Sequence, residues 1–138
     1  MRFMIIVKST PEFEAETAPQ TPDEKLFKAM ADYHEELQKA GVLMDGSGLK
    51  PSSFGWRFTW KDGKKTQTDG PFAETKELVA GFTLIQCKTR EEAFEWTKRF
   101  PNPGFDAGEI EVRELYSLDD FDSPQVERFR KMEMKSQS

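Results

Sequence analysis

LVAGFTLIQCKTREEAFEWTKRF, residues 78–100, reads as a strand that runs straight into a helix. Leu78 to Gln86 is apolar-rich, as a buried strand requires. Thr89 and Glu92 then stand at the capping-box spacing, where a hydroxyl and a carboxylate each take up a backbone amide, so a helix is predicted to start there. Ala93, Trp96, Thr97 and Phe100 share its inner side, and Pro101, with Pro103 and Gly104 beyond, ends it.

The same order opens the chain. Arg2 to Lys8 (RFMIIVK) carries apolar side chains at successive positions, which a strand would offer to both of its faces. Ser9 to Gln20 contains Pro11, Pro19 and no periodicity, and reads as an exposed loop. Thr21 and Glu24 form another capping box with Pro22 at the first helical position. Leu26, Met30, Tyr33 and Leu37 recur on one side of the helix that follows, opposite Lys28, Asp32, Glu35 and Lys39, and Gly41 supplies a left-handed exit.

Between these two units lies strand-forming sequence. Val42 to Leu49 suits a short irregular strand bent at Gly46 and Gly48, and Lys50 to Ser53 turns the chain. Phe54, Trp56, Phe58 and Trp60 alternate with small or polar residues, Asp62-Gly63 is a favoured two-residue hairpin turn, and Lys64 to Thr68 returns alongside. Ile110 to Tyr116 supplies a final strand. Strand, helix, strands, strand, helix and strand make two β-α-β units with an inserted β-hairpin, so the predicted fold is an α+β ferredoxin-like sandwich. Both helices of that architecture cover one sheet face, and a homodimer is the simplest cover for the other. Residues 1–118 are read as this domain. Residues 119–138 are read as a tail, either frayed or forming an extra helix that uses Val126, Phe129 and Met132 against a partner subunit.

Composition excludes several function classes. The net charge of −5 and pI near 5.0 have the wrong sign for holding phosphate backbones, so no nucleic acid partner is expected. One cysteine, Cys87, and one histidine, His34, make neither an internal disulfide nor an ordinary zinc site. No apolar run approaches the ~20 residues that cross a bilayer, and Phe3 to Val7 is too short for a signal-peptide core. A cytoplasmic location without membrane contact is the expectation. Asp45, Gly46 and Gly48 lack nucleotide-fingerprint spacing, and no cofactor is implied.

Asp69-Gly70-Pro71-Phe72-Ala73-Glu74-Thr75-Lys76-Glu77 resembles the signature of the DGPF-domain branch of the YCII-related proteins. Ala40 to Leu43, Gly46 to Pro51 and Glu111 to Arg113 resemble the segments around it, so the resemblance runs from Arg2 to about Leu118. It implies a dimeric α+β barrel in which two ferredoxin-like sheets pack face to face and leave clefts for small molecules. It implies no single reaction. Many DGPF proteins resemble companions of extracytoplasmic-function sigma factors, which adds a sigma factor as a candidate partner.

The nonapeptide concentrates ionisable groups around a tight turn. As a site, Asp69 would serve as general base or acceptor, Gly70, Pro71 and Phe72 would shape the loop, and Glu74, Lys76 and Glu77 would contact a small molecule, with Lys76 suited to an anion. As plain structure, the loop only joins two strands. His34 is the default proton shuttle of an acid–base enzyme, yet at the edge of an apolar stripe it also reads as a packed, hydrogen-bonded histidine. The broader group includes a His-Asp pair with which His34 does not align residue by residue. Trp56, Phe58 and Trp60 suit core or subunit interface better than a pocket, Arg57 is expected to stay solvated, and Cys87 partly buried. Two functions remain open. One is a small-molecule enzyme of the isomerase, lyase or hydrolase type; the other is a non-catalytic metabolite-binding or protein-interaction module.

Overall fold

The computed structural model describes residues 1–16, 23–104 and 108–132; the Lys76 side chain is outside that set. Strand β1 (Arg2–Lys8) lies between β5 (Val79–Gln86) and β6 (Ile110–Glu114), antiparallel to both. Strand β2 (Leu43–Gly48) adds to the far edge of β5, giving the order β2-β5-β1-β6. This antiparallel order, with one long helix between β1 and β2 and another helix between β5 and β6, is the ferredoxin-like sheet that the sequence predicts. Strands β3 (Trp56–Lys61) and β4 (Lys64–Asp69) stand apart as a two-stranded hairpin. Asp62 (φ 51°) and Gly63 (φ 76°) are both left-handed at its turn, which is why Asp-Gly suits it.

Alternation sorts the sheet residues onto two faces. Phe3 pairs with Ile85, and Ile5 with Thr83 and Val112, so these side chains share a face. Against that face lie α2 (Glu24–Lys39), through Tyr33 and Leu37, and α3 (Arg90–Lys98), through Ala93, with Val42 and Cys87 completing the core. The Tyr33 hydroxyl donates to the Trp96 carbonyl at 2.7 Å, joining the two helices. Burial pushes the Tyr33 phenol up to about 12, so it remains a donor at neutral pH. Met4, Ile6, Phe82 and Leu84 project to the opposite face and are half-buried.

Two expectations are corrected, one on a loop and one on the helix caps. Ser9 to Gln20 is not simply an exposed loop, because α1 (Pro11–Glu14) forms within it and buries Glu14. Thr10 caps this helix, accepting the Phe13 amide at 3.2 Å, and Pro11 follows where a missing N–H leaves nothing unsatisfied. The second correction concerns α2: Thr21 and Pro22 lie outside the described residues, and the cap is Asp23, whose carboxylate accepts the Leu26 amide at 2.7 Å. The box expected at α3 is half formed, since Thr89 accepts the Glu92 amide at 3.1 Å while the Glu92 carboxylate takes the Lys88 amide at 3.3 Å.

Of the two places expected for the aromatic stripe, core or subunit interface, the first is ruled out. Trp56, Phe58 and Trp60 are 62%, 48% and 70% exposed, so they are no part of this chain's core. They share one hairpin face with their cross-strand partners Asp69, Gln67 and Lys65. In the tail, α4 (Val126–Lys131) follows a turn at Leu118–Asp120 and is tied to it by Arg130 and Asp119 at 2.7 Å. Phe129 and Met132 remain exposed. No helix among the described residues is long and apolar enough to cross a membrane.

Candidate functional site

The hairpin delivers Asp69 to the start of the DGPF loop. Asp69 ends β4, is exposed, and accepts from the Gln67 side-chain amide at 3.0 Å. From there the backbone is pinned. The Gly70 amide donates to the Gly55 carbonyl at 3.0 Å, the Gly70–Pro71 peptide is cis, and the Phe72 amide donates to the Ser52 hydroxyl at 2.9 Å. A Cβ at Gly70 would overlap the Ser52 carbonyl, so glycine is required by close approach of two backbones.

Ser52 is in turn held by Glu14. The Glu14 carboxylate accepts the Ser52 amide at 3.1 and 3.2 Å, the Ser52 hydroxyl, and the Ser9 hydroxyl at 3.3 Å. Glu14 is 6% exposed, and these donors supply what a buried carboxylate otherwise loses with its water.

Beyond Phe72 the loop carries charge. The Arg57 guanidinium lies 3.8 Å from the centre of the Phe72 ring and 3.3 Å from the Glu74 carboxylate while its side chain stays 41% exposed, so it keeps the expected contact with solvent and touches the loop as well. Its place on the hairpin face opposite Trp56 turns it toward the loop. A hydrogen bond from its own backbone amide and the nearby Arg57 hold the Glu74 carboxyl below its usual range. Thr75–Glu77 forms a helical turn that leaves Glu77 exposed. Lys76 sits in that turn, with its side chain outside the described set.

His34 occupies a different place. Its Nδ1 is 2.7 Å from the Met30 carbonyl, which only accepts, so Nδ1 carries a proton. In the neutral ring Nε2 then accepts from the Thr83 hydroxyl at 2.8 Å. Thr83 is 2% exposed, and the edges of Tyr33 and Phe100 flank the imidazole. Asp69, Gly70, Pro71, Phe72, Glu74 and Glu77 thus form one loop, while His34 is bonded between α2 and β5 and, among the described residues, shares no hydrogen bond with it. Cys87 is buried at the end of β5, where burial pushes its thiol up and disfavours the nucleophilic thiolate. Among the described residues no group of three His, Cys, Asp or Glu is placed to hold a metal ion.

Glu14, Ser52 and Arg57 are the site residues that the sequence reading missed. Glu14 looked like one acid among several in a loop, and its partner Ser52 is 38 residues away. A signal existed only for Arg57, since the hairpin register sets it one residue from Trp56 and hence on the other face.

An uncharacterised protein of Rhizobium meliloti (strain 1021) is 32% identical to this chain over 93 residues, covering 67% of this chain and 75% of its own length. The 5-chloro-2-hydroxyhydroquinone dehydrochlorinase of Burkholderia phenoliruptrix AC1100, solved with 2,5-dihydroxybenzoquinone, is 16% identical with a TM-score of 0.41, over 88% of this chain and 100% of that one. That likeness is too slight to speak to chemistry. The family signature is decisive: residues 1–119 match the YCII-related domain, and this chain belongs to the YCII-related family.

Proposed function

We propose that this protein is a homodimeric small-molecule enzyme of the isomerase, lyase or hydrolase type, acting in the cytoplasm through a cleft lined by the DGPF loop. One observation carries the reading. The loop backbone is pinned at Gly70 and Phe72, yet Asp69, Glu74 and Glu77 remain exposed beside it. Fixed backbone with solvent-exposed ionisable groups is what a preorganised site needs, because little ordering remains to be done when a ligand arrives. Asp69 acts as general base or acceptor, Gly70, Pro71 and Phe72 shape the wall, and Glu74, Lys76 and Glu77 contact the ligand. His34 supports the fold in this reading, as both ring nitrogens are already engaged. Asp69→Asn is expected to abolish turnover of a substrate found by screening and to leave the melting temperature within about 2 °C, because an exposed carboxylate contributes little to stability. Unchanged turnover removes Asp69 from the chemistry.

The second copy is proposed to cover the aromatic hairpin face and the half-buried Met4, Ile6, Phe82 and Leu84. Large exposed aromatic side chains grouped on one face favour association over solvation. Sedimentation at micromolar concentration is expected to give a dimer, and Trp60→Glu a shift of at least tenfold toward single copies, about the 1.4 kcal/mol carried by one interface aromatic. A wild-type chain that sediments as a single copy rejects the shared cleft.

A second reading rests on His34 and Asp69 not being joined: the loop binds a metabolite or a protein such as a sigma factor without chemistry. Stoichiometric ligand binding that Asp69→Asn weakens, with no product formed, favours it.

A further inference from the structure

We infer that Glu14 is a positioning residue for the DGPF loop, acting through Ser52. The direction of the hydrogen-bond chain supports this. A serine hydroxyl has one proton to give, and Ser52 gives it to Glu14. Its oxygen is then left as acceptor for the Phe72 amide, at 2.9 Å. The anion polarises the hydroxyl, and the polarised oxygen is the better acceptor, so the Phe72 contact is strongest while Glu14 is in place. The Ser52 backbone is fixed by the same carboxylate, and its carbonyl is the surface against which Gly70 fits. One buried acid on α1 thereby sets both ends of the Gly70-Pro71-Phe72 turn through hydrogen bonds to Ser52.

Ser9 donates a further hydrogen bond at 3.3 Å and links the carboxylate to the residue that follows β1. The Ser9 amide itself donates to the Leu78 carbonyl at 3.0 Å, just past the loop's far end. Segments from three parts of the chain therefore meet around this carboxylate: Ser9 to Glu14, Ser52 to Gly55, and Gly70 to Leu78. The α1 strap is accordingly part of the site's frame. Its functional weight rests on the loop being the ligand site proposed above, whereas the loop's order does not.

Amide hydrogen exchange on the full-length protein tests the inference with no ligand present. In Glu14→Gln the neutral amide sets its own donors against Ser52, and Phe72 exchange is expected to rise on the order of tenfold or more, as for loss of a hydrogen bond to a charged group. Ser52→Ala is expected to do the same, while β1 and β5 exchange at wild-type rates in both. Because Glu14 acts through Ser52, the double variant is expected to exchange at Phe72 no faster than the faster single variant. Ser9→Ala retains the carboxylate, so its effect at Phe72 is expected to stay under about threefold; it serves as a measurement if Glu14→Gln does not fold. Unchanged Phe72 exchange in Glu14→Gln, an equal rise in β1 and β5, fully additive single effects, or a Ser9→Ala effect as large as that of Ser52→Ala would each overturn it. Exchange that behaves as expected in a protein that binds no small molecule leaves Glu14 as the loop's positioning residue and removes only the proposed function.

Discussion

Gly70→Ala is expected to lower stability by about 3 kcal/mol, seen as a fall of roughly 10 °C in melting temperature. The added Cβ meets the Ser52 carbonyl, which is backbone, already accepts the Gly55 amide, and belongs to the residue that Glu14 holds. It cannot yield as the end of a flexible side chain would. Either the Ser52–Gly55 turn is displaced or the loop lifts off. Lifting breaks the Gly70–Gly55 and Phe72–Ser52 hydrogen bonds and leaves half-buried polar groups to be rehydrated, so both routes are costly. Gly55→Ala is the matched control. A Cβ there stands at an ordinary 3.8 Å from the same oxygen, and the expected loss is under about 1 kcal/mol. Equal melting of the two variants would show that the backbones do not approach as described.

Ile85→Ala is expected to cost about 3–4 kcal/mol in chemical denaturation. Ile85 is fully buried at the centre of the sheet, paired with Phe3 on one side and Leu43 on the other. Truncation removes buried methyl groups and leaves a void that two neighbouring strands and the helices above them, hydrogen-bonded in place, fill only in part. Alanine also forms strands less readily than a β-branched residue. Phe94 is larger, but it is 62% exposed on α3, and Phe94→Ala is expected to stay within about 0.5 kcal/mol. If Phe94→Ala proved the more damaging, the assignment of the helix-facing core would fail.

Local pattern is what the sequence could determine. Each strand of the four-stranded sheet, the Asp62-Gly63 turn and the helical faces of α2 and α3 depend on neighbours a few residues away, whose spacing is visible in the chain itself. Two β-α-β units then leave few ways to pair the strands, and the order β2-β5-β1-β6 follows from connection rules rather than from any single contact. The DGPF stretch stood out by its resemblance to a family signature, which nine consecutive residues suffice to carry.

Only the tertiary structure decided which groups that loop would meet. Glu14 is buried because Ser52, distant in the chain, comes back to supply its donors, and no periodicity encodes that return. Arg57 meets Phe72 and Glu74 while keeping 41% of its side chain in solvent. His34 bonds to Met30 on its own helix and to Thr83 across the core, a partner 49 residues away that local spacing does not name. Secondary structure follows from short-range sterics and hydrogen bonding, whereas the state of a polar side chain depends on whether distant donors replace the water it has lost.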